Sequence, residues 1–143
     1  MTEEFMKMAV EVAKEALENR EYPAGVVIVK DNQVIATGFP EVRKKQIAGL
    51  HGEVVAIRNA CERLQTRHLV GCELYTTVEP CMMCTINASH ARIGKIFFGA
   101  KLREQKKRTA DILKFMEVDL KIEGGFLEKE CDQLLEKWYK IKE

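Results

Sequence analysis

Cys72-Glu73-Leu74-Tyr75-Thr76-Thr77-Val78-Glu79-Pro80-Cys81-Met82-Met83-Cys84 contains a strand that stops and a helix that starts. Cys72 to Val78 is β-rich and apolar. Pro80 withdraws a backbone donor and pushes Glu79 out of helical geometry, so the strand ends there. Beyond it, Met83, Ile86, Asn87 and His90 fall on one helical face. A strand feeding directly into a helix is half of a crossover unit, and sheets built from such units carry helices on their faces.

The same alternation extends in both directions. Upstream, Val54, Ile57, Cys61 and Leu64 form a helical stripe from Gly52. Residues 39–50 have no period and contain Pro40, Gly49 and Arg43-Lys44-Lys45, which predicts a loop. Two β-rich runs, 25–30 and 33–38, flank Asp31-Asn32, a pair that tolerates the positive φ of a tight hairpin. Phe5, Met8, Ala9, Val12 and Ala16 predict a first helix over about 3–18, with Thr2 as its N-cap. Downstream come a short strand at 95–99, a basic connector to Arg108, a brief helix near 111–116 and a strand over 118–123. After Gly124-Gly125 a last helix carries Leu127, Cys131, Leu134, Leu135 and Trp138 on one stripe. This order predicts an α/β layered fold, and 143 residues suit one domain, 1–143.

With 46% hydrophobic and 31% charged residues, the composition is that of a globular chain without an apolar run able to span a bilayer. The acidic N-terminus is unlike a secretory signal, and five cysteines with one Cys-x-x-Cys pair point to free or metal-bound thiols in the cytoplasm. A net charge of +1 neither demands nor excludes a polyanionic partner. The clusters Arg43-Lys44-Lys45 and Lys106-Lys107-Arg108 are expected to be solvated loop charge.

Two short motifs carry chemistry, and both fall at predicted helix starts. Cys81 and Cys84, three apart, can direct both sulfurs at one ion, and the helix dipole favours their thiolates. With His51 they form a borderline-soft set of three that suits zinc and leaves a fourth tetrahedral position open. Glu53, two residues past His51, is placed to move protons at that position. Two other readings of these residues remain at this point. A closed structural zinc site would take Cys61, Cys72, Cys131 or His90 as fourth ligand, and a redox pair would use Cys81 and Cys84 alone.

The joint pattern of His51-x-Glu53 and Pro80-Cys81-x-x-Cys84 resembles the cytidine and deoxycytidylate deaminase superfamily. Within it, the chain resembles the branch of tRNA adenosine deaminases, guanine deaminases and yeast-type cytosine deaminases. Residues 21–29, 90–101 and 127–139 are similar to the tRNA adenosine deaminases. Leu50-His51-Gly52-Glu53 and Tyr75-Thr76-Thr77 are more like cytosine deaminase. The resemblance implies a three-layer α-β-α sandwich with a five-stranded mixed sheet, one Zn2+ per chain, and a homodimer or larger homo-oligomer. It further implies hydrolysis of an amino group on a nucleobase-like ring to a carbonyl, either on a small molecule or, as the alternative, on adenosine in tRNA. Backbone groups of Gly52 and Glu79 would lie near the reacting amino group, and Trp138 with Tyr139 would line the pocket. The family's base-contacting asparagine is replaced by Pro40, which has no side-chain donor.

Overall fold

The computed structural model describes residues 2–142, excluding the side chain of Lys142. Helix α1 (Thr2–Glu18) precedes a hairpin of β1 (Val26–Lys30) and β2 (Gln33–Gly38). The chain continues through α2 (Val42–Lys45), α3 (Gly52–Leu64), β3 (Cys72–Val78), α4 (Met82–His90) and β4 (Lys95–Ala100). It closes with α5 (Thr109–Phe115), β5 (Lys121–Glu123) and α6 (Glu128–Lys142). No described helix is long and apolar enough to cross a membrane.

The five strands form one mixed sheet in the order β2-β1-β3-β4-β5. β1 is antiparallel to both neighbours, whereas β3, β4 and β5 run parallel. The turn between β1 and β2 has φ of 50° at Asp31 and 61° at Asn32, as those two residue types permit. Alternation along the strands sorts the two faces. Val26, Ile28, Leu74 and Ile96 face α3, α4 and α5 through Ala56, Ile57, Ala60, Ala88 and Leu113. Val27, Val29, Tyr75 and Phe97 face α1 through Phe5, Met6 and Ala9. α6 completes that second layer, with Cys131, Leu134 and Leu135 packed near Val10 and Ala13 of α1. The result is the expected α-β-α sandwich. Gly25 lets α1 lie directly on the sheet: a Cβ there would run into Ala9 O and Ala13 N.

Three local expectations are corrected. α1 already includes Thr2, the residue expected to cap it. The loop at 39–50 contains the short helix α2, because the buried carboxylate of Glu21 accepts the N–H groups of Arg43 (3.1 Å) and Lys44 (2.9 Å). A cap supplied from so far along the chain has no local signature. The last strand spans only 121–123, since Val118 N–H closes onto Leu113 O and Leu120 N–H onto Val118 O. Those donors are taken by the turn after α5 instead of the sheet.

Candidate active site

Two helix starts face each other at one end of the sheet. His51 is the N-cap of α3 (φ −66°, ψ 160°) and Cys81 is the N-cap of α4 (φ −70°, ψ 170°), so Cys81 precedes the first helical turn and Cys84 lies within it. The Thr85 N–H and hydroxyl both donate to Cys81 O, at 2.9 and 2.8 Å, fixing the cysteine turn. His51 Nδ1 lies 3.7 Å from Cys81 Sγ and 3.4 Å from Cys84 Sγ. Ideal Zn–N and Zn–S bonds of about 2.05 and 2.3 Å at a tetrahedral angle imply an N···S separation of about 3.6 Å. The triangle therefore fits zinc. Among the described residues, this is the one cluster of three or more metal-ligating side chains within reach of each other, and none of Cys61, Cys72, Cys131 or His90 joins it.

Charge in the triangle is uneven. Hydrogen bonding from Cys84, then from His51, against a burial cost, holds the Cys81 thiol down to about 4. Cys84 donates to that thiolate and is buried, so its own thiol is pushed up. The contact with Cys81 raises the His51 imidazole against its partial burial. A divalent cation at the centre favours both thiolates and neutral His51.

Glu53, only 6% exposed, sits in the first turn of α3. Burial lifts its carboxyl to about 7, and the negative charge of Cys81 adds to the rise. A carboxyl poised near neutrality both takes and gives a proton at working pH.

These groups open into a cavity of about 440 Å³. His51, Gly52, Glu53 and Cys81 line it together with Ala24, Val42, Val78, Leu102 and Trp138, which are mainly apolar. Gly52, Glu79, Pro40 and Trp138 all line the cavity. Tyr139 does not: it packs against the α1–α6 side of the core with Arg103 5.3 Å above its ring, and it is not among the cavity-lining residues. Trp138 and Tyr139 are neighbours on α6, so their side chains point about 100° apart and only one can reach the cavity.

Several site residues escaped the sequence. Tyr22 and Glu104 also line the cavity and belong to no motif, and Arg43, from the basic cluster ahead of His51, joins them. The side chain of Glu79 has a role separate from its backbone. Its carboxylate, on a residue 2% exposed, accepts Leu102 N–H at 3.0 Å, Thr109 N–H at 2.7 Å and the Arg108 guanidinium. Arg108 also donates to Gln105 O, and the Thr109 hydroxyl donates to Pro80 O at 2.7 Å. Residues 102–109, which bring Leu102 and Glu104 to the cavity, are thus latched to the turn that presents Cys81. Arg108 is consequently no solvated loop charge, although Lys106 and Lys107 are exposed.

Residues 1–100 match the family model described as the cytidine and deoxycytidylate deaminase zinc-binding region. The tRNA-specific adenosine deaminase of Aquifex aeolicus (strain VF5) is 43% identical over 98 residues, covering 68% of this chain and 65% of that protein. A chain solved in a study of A-to-I editing by tRNA:A34 deaminases superposes with a TM-score of 0.84 at 33% identity, covering 92% of this chain and 99% of that one. The guanine deaminase of Bacillus subtilis gives a TM-score of 0.69 at 38% identity, over 78% and 74% of the two chains.

Proposed function

This chain belongs to the cytidine and deoxycytidylate deaminase family, and we propose from that premise that it hydrolyses the exocyclic amino group of a nucleobase-like ring to a carbonyl, with one zinc per chain. The observation that carries the reading is the pairing of a three-ligand metal triangle with a buried carboxyl lifted to about 7 in the same apolar cavity. His51, Cys81 and Cys84 hold the ion. When bound, zinc supplies a water acidic enough to act as nucleophile at neutral pH.

Glu53 takes the proton from that nucleophile and delivers it to the ring nitrogen adjacent to the carbon under attack. A new C–O bond forms there. Glu53 then takes the proton of the newly attached hydroxyl and carries it to the departing amino group. The C–N bond breaks, ammonia leaves, and the ring retains a carbonyl, so that one water is consumed per ammonia released. Gly52 and Glu79 line the cavity, and their backbone groups suit the role of orienting the amino group. Ala24, Val42, Val78, Leu102 and Trp138 give the reacting atoms mainly apolar walls.

A screen of ammonia release by the zinc-loaded protein over guanine, adenine, cytosine, isocytosine, their nucleosides, aminated triazines and a tRNA anticodon hairpin tests this. Release from at least one ring is expected. Silence across the panel contradicts the reading.

A second reading, in which the ring is an adenosine of tRNA, is favoured by the Aquifex relative and by the placement of basic residues. Arg43 lines the cavity beside Lys44 and Lys45, and Lys106 and Lys107 follow the cavity-lining Glu104. Filter binding to the hairpin across a salt series checks it: phosphate contacts give affinity that falls with salt, and salt-insensitive or absent binding removes this substrate. The likeness to the Bacillus subtilis guanine deaminase supports the small ring. The same family membership supports a cytoplasmic homodimer or larger assembly, which sedimentation measures.

A further inference from the structure

A second cavity, of about 410 Å³, adjoins the catalytic one, and Glu21, Pro40 and Arg43 line both. Its character differs. The catalytic cavity has mainly apolar walls, whereas Arg20, Arg43 and Lys44 bring three cations to the second. All three residues are exposed, and among the described residues no carboxylate lies within ion-pair distance of them. Two carboxylates share this lining, and both are already occupied. Glu21, 2% exposed, accepts Arg43 N–H on one oxygen (3.1 Å) and Lys44 N–H on the other (2.9 Å). Glu41 lies between Lys45 at 3.5 Å and Arg58 at 3.3 Å. The backbone under the cations is fixed as well. Arg20 leaves α1 at φ 61° with its N–H on Leu17 O (3.0 Å), and its own carbonyl accepts the Arg43 guanidinium at 3.3 Å.

We propose that the second cavity is a phosphate subsite, in which Arg20, Arg43 and Lys44 take the phosphate of a nucleotide whose base lies in the catalytic cavity. The assignment rests on the deaminase reading and narrows it, because a free base would leave the subsite empty. A sugar separates base from phosphate in a nucleotide, so an apolar slot for the ring and a cationic slot for the phosphate must adjoin without merging. Pro40 supplies the partition: it is buried, has a fixed φ and no side-chain donor, and stands in the walls of both cavities. Arg43 belongs to both cavities and marks where one passes into the other. A guanidinium can meet phosphate oxygens through parallel N–H donors and an ammonium as a point charge, so the set offers both modes of phosphate recognition. Cations left without a carboxylate partner attract an anion into a concave site more strongly than the same charges on an open surface. The chemistry is the same whether the phosphate belongs to a mononucleotide or to a nucleotide of a tRNA anticodon loop.

The test measures ammonia release by zinc-loaded protein from the base, nucleoside and 5′-monophosphate of guanine, cytosine and adenine, and from aminated triazines. A tRNA anticodon hairpin is assayed beside them, with and without a neutral methylphosphonate next to the target adenosine. In the mononucleotide arm, the monophosphate should exceed its nucleoside in kcat/KM by about tenfold or more, through KM. In the tRNA arm, the methylphosphonate should lower kcat/KM by a similar factor. Arg20→Gln combined with Lys44→Gln changes two exposed positions, so the protein should keep its zinc and melting temperature while most of the phosphate dependence disappears. Lys114→Gln combined with Lys121→Gln removes the same charge from exposed positions outside both cavities and should leave that dependence intact. Turnover without phosphate dependence in either arm, or a dependence that survives Arg20→Gln with Lys44→Gln, overturns the subsite alone. Absence of ammonia release across the whole panel overturns the deaminase reading and the subsite with it.

Discussion

Replacing Glu79 by glutamine tests the latch between the cysteine turn and the cavity wall. The carboxylate accepts two backbone N–H groups and the Arg108 guanidinium, on a residue 2% exposed. Glutamine keeps one acceptor oxygen but turns an NH2 toward a donor, and it leaves the guanidinium without a counter-charge. Breaking a fully buried pair costs about 3–5 kcal/mol. Arg108 is 31% exposed, so water recovers part of its solvation and the expected loss is about 3 kcal/mol. With an unfolding entropy of about 2.1 cal/mol/K per residue, a chain of this length should melt about 10 °C lower. Thermal unfolding by circular dichroism measures this, and hydrogen exchange at the Leu102 and Thr109 amides should quicken selectively. A melting temperature within about 2 °C of wild type would refute the latch.

Gly25→Ala forces a Cβ into Ala9 O and Ala13 N of α1 and should cost at least about 3 kcal/mol, read by urea unfolding or by loss of soluble protein. In chelated protein, Glu53 has a folded-state pKa of about 7 against a reference of 4.5, so its contribution to stability is fully present below 4.5 and is lost as pH rises through 7. Cys81, held down to about 4, acts in the opposite sense over the same range, so the Glu53 share is read by difference: on going from pH 5 to pH 8, the urea midpoint of chelated wild type should change less favourably than that of chelated Glu53→Gln. The Cys131 thiol, 1% exposed and pushed by burial up to about 12, should resist alkylation in native protein at pH 8 and react once unfolded.

What could be read from the sequence was local. The strand-to-helix transition at Pro80, the hairpin at Asp31-Asn32 and the pairs His51–Glu53 and Cys81–Cys84 each depend on residues a few positions apart, where periodicity and spacing carry the geometry; that the two pairs meet, across 30 residues, was implied by the family resemblance. What stayed hidden depends on long-range contact. Glu21 caps α2 across more than twenty residues, and Glu79 finds Arg108 across 29. Arg108 looked like part of a solvated basic cluster because its partner is a charged residue in another motif. Tyr22 falls only within the resembling stretch 21–29, since nothing in a single tyrosine announces that it lines a cavity. The resemblance pairs Tyr139 with Trp138, but helix geometry separates the two.

The central claim is that Glu53 moves protons at a zinc site it does not help to hold. Measuring zinc content and ammonia release in Glu53→Gln, beside His51→Ala, tests it most directly. The account predicts wild-type zinc with turnover lowered about 10²- to 10⁴-fold in Glu53→Gln, and loss of zinc in His51→Ala. Turnover by Glu53→Gln close to wild type, on a ring that the wild-type protein deaminates, would contradict it.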